Sequence, residues 1–419
     1  MTKKNYDWAA SPVLEEHSRR KLKILREYFS DYLSVRCRLP QQEKFRMAII
    51  DGFSGGGRYK CGSAGSPIVF VEELKTFSEA VNIKRAAEGM SPIAIECLLL
   101  LNDESAEAIE ILKSNVAPLE AEIRTNVPRL HLRMEYLNAP FESAFSQIKD
   151  LLEKGRYTNA LFNLDQYGDS EVQSRTLIEI MRTYTSAEIF YTFGIEALIS
   201  FLRKSDPIRL AQRLAHLGLS DGELKSLQGA MNRHAWLAAA ERLVFENFRN
   251  CAPFVSPFSM HNPEGWRYWL IHFANFYKAR QVYNNILHRN SSAQAHFGRS
   301  GLNMLSYNPL HEDGRLYLFD DAGRQVAHQQ LMEDVPRLIS ESGDVIGVAE
   351  FYEGVYNLTP AHTDDIHAAI IQSPDIEVIT PGGGERRKAN TIAVGDVLKL
   401  KNQKSFFPLF LSAADRKKK

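Results

Sequence analysis

The stretch MAIIDGFSGGGRYKCGSAGSP, residues 47–67, decides the fold of this chain. Four apolar residues lead into Asp51, and six glycines follow between Gly52 and Gly65. An apolar run that ends at a polar residue and a glycine-rich turn is typical of a buried strand at the ligand-binding edge of a parallel sheet. Glycine lets the backbone approach a ligand closely, because it has no side chain. We therefore predict a cofactor at this turn; the alternative is a tight turn without a ligand.

The composition is that of a globular protein without strong charge. Of 419 residues, 44% are hydrophobic and 24% charged, and the formal net charge is zero, which argues against a strongly basic nucleic-acid wrapper. No apolar run approaches the roughly 18 residues of a membrane span, so we expect a cytoplasmic protein. The four cysteines are scattered and the histidines form no H-x-x-x-H spacing, so neither a disulfide framework nor a metal site is expected.

Apolar runs alternate with helical patterns through the first half of the chain. The runs cover 48–50, 93–101, 130–137, 160–164 and 189–193, and each ends at a polar residue or a glycine; the helical patterns cover 12–35, 105–114, 141–153 and 171–184. Near-continuous apolar strands separated by amphipathic helices indicate a sheet that is covered on both faces. The predicted fold class is therefore α/β, with a doubly wound, mostly parallel sheet.

The pattern changes after about residue 305. A first domain is predicted over 1–305, with a helical insertion at 206–250, a strand at 266–276 and a helix at 277–289, and a second module over 306–419. In that module, a hairpin is predicted at 314–323 and helices at 327–341 and 362–372. Two short strands then flank GGGERRK, residues 382–388, which indicates a C-terminal winged-helix-like α+β module.

Polar groups follow the later strands where a nucleoside cofactor would need them. Asp103 could accept hydrogen bonds from both hydroxyls of a ribose, while Asn138 and Phe141 could pair with and cover an adenine. Asp165 and Tyr167 would lie beside the reacting atom of a substrate. Asp103 and Asn138 could instead cap helices. A nicotinamide-binding turn fits less well, because Lys60 stands where its third glycine should be.

The chain resembles the three-Cys-motif partner (TcmP) family, which is class I methyltransferase-like. The resemblance is carried by KLKILREYF (21–29), the glycine-rich stretch, LFNLDQYG (161–168) and EFYEGVYN (350–357). It implies an S-adenosylmethionine site. By position, the resemblance assigns Asp51, Phe53, Gly55 and Gly57 to the methionine side, Asp103 to the ribose, and Asp165 and Tyr167 to the transfer point.

One residue departs from the family's pattern. The family has proline where this chain has Gln166, so we expect the turn after Asp165 to lose rigidity and transfer chemistry to be affected more than cofactor binding.

These observations predict an S-adenosylmethionine-dependent methyltransferase, bacterial or phage-related, that acts on a nucleic-acid base or on a partner protein or peptide. A three-Cys-motif protein is one candidate partner. A first alternative is a cofactor-binding protein of the same fold that acts as a partner or regulator with weak catalysis. A second is a DNA-binding protein that uses its C-terminal module, with Arg386, Arg387 and Lys388 on phosphates.

Overall fold

The protein divides into two compact units. The computed structural model describes residues 8, 10, 12–166, 171–195, 243–261, 267–290, 294–297, 316–317 and 320–401. Unit 1 comprises Met1–Ile286 and unit 2 comprises Leu287–Lys419, so the division falls within helix α6 (Tyr277–Arg289). The boundary at 305/306 stays a prediction. No helix among the described residues is long and apolar enough to cross a membrane.

Unit 1 is built on a mostly parallel sheet. Its strands are β1 (Lys44–Asp51), β2 (Ala94–Asn102), β3 (Leu130–Leu137), β4 (Asn159–Leu164), β5 (Ser186–Phe193), β6 (Phe254–His261) and β7 (Arg267–Ala274). They lie in the order β3-β2-β1-β4-β5-β7-β6. Strand β7 runs antiparallel to both β5 and β6. This order is the methyltransferase-like arrangement, and the predicted fold class is confirmed.

The apolar runs become central strands because both faces of the sheet are covered. In β1, Met47 through Asp51 are all buried, and β2 is buried from Cys97 to its end at Asn102. The five predicted runs all form strands, and so does 266–276. Strand β6 was not predicted, and the reason is Pro257, since proline normally argues against a strand.

Helices of unit 1 follow the predicted periodicity, with shifted ends. They are α1 (Glu16–Arg36), α2 (Ser66–Ala87), α3 (Ala106–Asn126), α4 (Phe141–Gly155) and α5 (Ser174–Thr183). The prediction that the first helix starts at 12 was wrong. The carbonyl of Pro12 accepts a hydrogen bond from Lys60 N–H at 2.9 Å, which holds the preceding segment against the glycine-rich loop. Of the predicted insertion, 243–249 are helical and 206–242 lie outside the described residues.

One face of α1 is anchored on the sheet by a buried polar cluster. The Tyr28 hydroxyl donates a hydrogen bond to the Glu188 carboxylate on β5, and His272 on β7 lies 3.6 Å from the same carboxylate. Burial raises the pKa of Tyr28 and lowers the pKa of His272. His17 and Lys21 precede Tyr28 on the same helix by eleven and seven residues, so this anchor also directs them towards the sheet.

Unit 2 has the topology of a winged helix. Helix α7 (Asp321–Glu341) is followed by β10 (Val345–Gly347), α8 (Val348–Val355), α9 (Thr363–Gln372), β11 (Ile376–Ile379) and β12 (Val397–Leu400). The strands form an antiparallel sheet of order β10-β12-β11. The loop between β11 and β12 is the predicted glycine-rich wing.

The predicted hairpin at 314–323 was wrong. Asp320 instead begins helix α7, because its carboxylate accepts a hydrogen bond from Gly323 N–H at 2.7 Å. Strand β9 (Leu316–Tyr317) pairs antiparallel with β8 (Gln294–Phe297) rather than with the residues that follow it.

Alanine substitutions at two glycines of the 52–65 stretch test how closely the turn packs against its neighbours. Gly57 has φ +81°, and a Cβ there would lie 2.7 Å from Leu112; Gly62 has φ +80° with nothing within 4 Å. Gly57→Ala should therefore lose about 2–4 kcal/mol of unfolding free energy, from backbone strain and overpacking together. The control Gly62→Ala should lose about 1–2 kcal/mol, from strain alone. Urea denaturation of the full chain measures both, and equal losses would contradict the packing at Gly57.

Candidate functional site

The turn after β1 is held by its neighbours on both sides. Gly52 N–H donates to the carbonyl of Asn163 on β4, and Ser54 N–H donates to the carbonyl of Asn102 on β2, each at 2.9 Å. Gly55 then turns back with φ +58°. The turn therefore lies at the carboxyl ends of β2, β1 and β4, where the sequence predicts it.

Asp103 holds the glycine turn. Its Oδ2 accepts a hydrogen bond from Gly55 N–H and its Oδ1 accepts one from Ser105 N–H, both at 2.9 Å. Ser105 caps α3 through its own hydroxyl, which accepts from Ala108 N–H at 3.2 Å. Asp103 thus organises the start of α3, as the capping alternative predicted, and also lies beside the glycine turn; its role in binding a ribose stays a prediction.

Asn138, which follows β3, places a polar side chain beside Asp103. The Asn138 amide donates a hydrogen bond to the carbonyl of Asp103 at 2.9 Å, and Asn138 is exposed. Phe141 is only 2% exposed and packs beneath Gly52, where it contacts Phe53 with ring centroids 5.9 Å apart. Phe141 therefore supports the turn from inside and does not present a ring face to a ligand, contrary to the expectation for it.

Asp51 lies fully inside the site. It is 0% exposed, and its Oδ1 accepts a hydrogen bond from the Asn163 amide at 3.1 Å. Burial raises the pKa of Asp51 to about 7, although hydrogen bonds from Ser66 and Asn163 lower it in part. At neutral pH the carboxyl is therefore close to half protonated, and it can both donate and accept.

Asp165 is paired with a lysine that the sequence reasoning missed. Lys21 on α1 donates a hydrogen bond to Asp165 Oδ1, and the Lys21 side chain is 12% exposed. Burial opposes ionisation of Asp165, but the ammonium of Lys21 and a hydrogen bond from Thr192 outweigh it and hold the pKa below its usual range. His17, one turn earlier, has its pKa lowered to about 4 by burial and by Lys21, so it is neutral at pH 7.

A small recess of about 20 Å³, roughly the room of one water molecule, lies beside this pair. Its polar wall carries Lys21, Asp165 and Thr192 together with Ser66 and Asn163. Leucines of α1 and Phe190 form the apolar wall. The recess lies at the ends of β4 and β5, next to the glycine turn, so a molecule bound there would contact the carboxylate of Asp165.

The Gln166 side chain is buried and hydrogen-bonded at the end of β4. Its amide donates to the Tyr191 hydroxyl at 2.7 Å, and its oxygen accepts from the N–H groups of Glu171 at 2.9 Å and Val172 at 3.0 Å. These three bonds connect β4 with β5 and with the segment that leads into α5, and the expected loss of rigidity stays a prediction. Tyr167 lies outside the described residues.

Trp8 covers the glycine turn, which the sequence gave no reason to expect. A Cβ on Gly55 would lie 2.1 Å from the indole ring, and one on Gly56 would lie 2.9 Å from it. The Trp8 ring also contacts Tyr59, with centroids 5.6 Å apart. Lys21, by contrast, could have been found from its position on the apolar stripe of α1.

The basic residues of the wing have different surroundings. Arg386 makes two hydrogen bonds to the buried Asp396, of 3.0 and 3.2 Å, and these hold the wing onto β12. Arg387 has a side chain that is 86% exposed, and Lys388 is also exposed. Arg386 is therefore a structural residue of the wing, and of the three predicted phosphate contacts only Arg387 and Lys388 face solvent.

One family model matches part of unit 2, and several solved structures are similar to the chain at low scores. Residues 306–383 match a family model described as the GMT-like wHTH domain, so unit 2 contains a winged helix-turn-helix domain. No curated protein matches the chain. Among solved structures, the chain is similar to a putative O-methyltransferase from Klebsiella pneumoniae at 13% identity, with a TM-score of 0.26 and coverage of 65% of this chain and 95% of that one.

Two further solved structures are similar at comparable levels. An O-methyltransferase from Bacillus cereus in complex with SAH has 11% identity and a TM-score of 0.28, and the match covers 64% of this chain and 86% of that one. Trm1 from Pyrococcus horikoshii with S-adenosyl-L-methionine has 12% identity and a TM-score of 0.29, with coverage of 96% and 95%. Scores of this size are too low to carry a functional conclusion, and the fold follows from the strand order.

The Lys21–Asp165 pair should make stability depend on pH. Because the folded pKa of Asp165 is below its unfolded value, the pair stabilises the protein above about pH 4 and less as pH falls through that range. Lys21→Met should cost about 1 kcal/mol at pH 7, a small value because solvent screens the pair. The difference in unfolding free energy between wild type and Lys21→Met should shrink towards pH 4. Thermal unfolding measures it, with the exposed Lys23→Met as control; a pH-independent deficit would contradict the pairing.

The two wing arginines should differ in their effect on stability. Arg386→Ala leaves the buried Asp396 carboxylate without its partner and should cost about 2–3 kcal/mol. Arg387→Ala removes an exposed side chain and should change stability by less than about 0.5 kcal/mol. Urea unfolding of the full chain distinguishes them, and a neutral Arg386→Ala would show that the ion pair does not hold the wing.

Proposed function

We propose that this chain is an S-adenosylmethionine-dependent methyltransferase of the TcmP family that acts on a nucleic-acid base or a partner protein or peptide in the bacterial cytoplasm. The observation that carries the proposal is the convergence, at one edge of a methyltransferase-like sheet, of the glycine turn, Asp103 and Asp165. In such sheets, ligands bind at the carboxyl ends of the strands.

The groups at the glycine turn fit the nucleoside part of the cofactor. Asp103 is a carboxylate beside backbone that carries no side chain, and Asn138 offers an exposed amide next to it. Two backbone N–H bonds do not by themselves saturate a carboxylate, which has about four acceptor sites. Asp103 would hold the ribose hydroxyls while keeping the turn in place. Asp51 and its hydrogen bond partners would bound the methionine side.

Asp165 is the group best placed to act on the acceptor. The bound cofactor would supply an electrophilic methyl group. Asp165 is ionised at neutral pH, because Lys21 lowers its pKa, so it can accept a hydrogen bond from the acceptor and orient its nucleophile. The acceptor must share or replace the bond from Lys21. The acceptor would approach Asp165 from the side of the small recess between α1 and β4.

A second candidate is a cofactor-binding partner protein with weak catalysis, favoured by Gln166 in place of the family's proline. The Gln166 side chain is buried and bonded to Tyr191, Glu171 and Val172, so it is directed towards the interior of unit 1. This candidate predicts cofactor binding without methyl transfer to any acceptor.

The overall charge of unit 2 gives no support to nucleic-acid binding. Residues 287–419 carry 17 acidic and 15 basic side chains, a formal charge of −2. Helix α9, which follows α8 in the helix-turn-helix, contains two aspartates and no lysine or arginine. Phosphate contacts require positive charge, so duplex binding by this unit would depend on Arg387 and Lys388 alone among the basic residues of the wing.

Calorimetric titration of the full chain with S-adenosylhomocysteine (SAH) and its 2′-deoxy analogue tests the proposal. Wild type should bind SAH in the micromolar range, about −8 kcal/mol, and bind the deoxy analogue roughly tenfold more weakly. Asp103→Asn should lose this discrimination, while the control Glu104→Gln keeps it. A disturbed turn in Asp103→Asn would weaken the binding of SAH and of the deoxy analogue alike. Loss of the ribose contact would instead remove the difference in affinity between the two ligands. Absence of binding by both wild type and Trp8→Ala, which uncovers the turn, would contradict the proposal.

A further inference from the structure

The side chain of Trp8 packs against two glycines of the turn, Gly55 and Gly56. The indole ring of Trp8 lies so close to Gly55 and Gly56 that a Cβ on either would approach it to 2.1 or 2.9 Å. Side chains do not approach each other this closely in folded proteins. Gly55, which the sequence assigned to a cofactor, and its neighbour Gly56 are therefore needed, in this structure, to make room for Trp8.

The covered surface is the surface that the cofactor would use. Gly55 donates its N–H to Asp103 at 2.9 Å, so the ring lies beside the carboxylate that would hold the ribose. Trp8 also contacts Tyr59, and four residues later the carbonyl of Pro12 accepts from Lys60 N–H. The N-terminal segment thus lies across the glycine-rich loop at two points.

We propose that Trp8 closes the nucleoside side of the S-adenosylmethionine site, and that the cofactor binds only when the indole leaves the glycine turn. This inference rests on the proposed function. A ring and a ligand cannot both pack against Gly55, so their binding is mutually exclusive. The measured Kd then equals the intrinsic Kd divided by the fraction of molecules in which the turn is uncovered. Contacts of the N-terminal segment with another molecule would change that fraction and so regulate cofactor affinity.

The first experiment is calorimetric titration of SAH into full-length wild type, Trp8→Ala and Val13→Ala. Val13 lies in the same segment, is 68% exposed, and serves as the matched control. Trp8→Ala should bind SAH at least about fivefold more tightly than wild type, because no ring competes. Val13→Ala should stay within about twofold of wild type. Thermal unfolding of the three proteins verifies that each is folded at the titration temperature.

The second experiment detects the indole itself. Saturating SAH should shift the tryptophan emission of wild type to longer wavelength as Trp8 moves into water, and Trp8→Phe should lack this shift. Equal or weaker SAH binding by Trp8→Ala would overturn the inference and leave the proposed function standing, since the ring would then be a wall of the site. Failure of wild type and Trp8→Ala alike to bind would overturn the proposed function, and the inference with it.

Discussion

The candidate site depends on how the turn after β1 is held. This turn contains almost no side chain, so it cannot be fixed by packing of its own residues. It is fixed by hydrogen bonds from the two neighbouring strands instead: Asn102 donates its amide to the carbonyls of Gly52 and Ala139, each at 3.0 Å, and Asp103 accepts from Gly55. Buried backbone groups that lost these partners would cost free energy comparable to a lost hydrogen bond each. The polar residues at the strand ends therefore stabilise the turn, whatever further role they have in binding a ligand.

The second constraint is the buried stripe of α1. Tyr28 fixes the helix to Glu188 in the interior, and the same face carries Lys21 to Asp165 at the edge of the sheet. A single helix thereby connects the core to the small recess beside Asp165. The ammonium keeps Asp165 ionised, whereas Asp51, which is 0% exposed and close to it, has its pKa raised to about 7. The surroundings of two carboxyl groups at one edge thus move their pKa values in opposite directions.

Unit 2 shows that topology and charge give separate information. Its order of helices and strands is that of a winged helix, and its match to a wHTH domain agrees with that order. Yet Arg386, one of the three basic wing residues predicted to contact phosphates, is bound to Asp396, and unit 2 carries no excess of positive charge. The winged-helix order therefore does not by itself supply the positive charge that phosphate contacts require.

The sequence by itself determined the alternation of strands and helices, the mostly parallel sheet, the winged module and the position of Asp103 beside the glycine turn. These follow from periodicity and from polar residues at strand ends, which are local signals. Tertiary structure alone decided that Trp8 covers the turn and that Phe141 is buried beneath it. It also decided the two ion pairs, Lys21 with Asp165 and Arg386 with Asp396. Each of these depends on residues brought together across the fold: 144 positions separate Lys21 from Asp165, and no local pattern records which side chains will meet over such a distance.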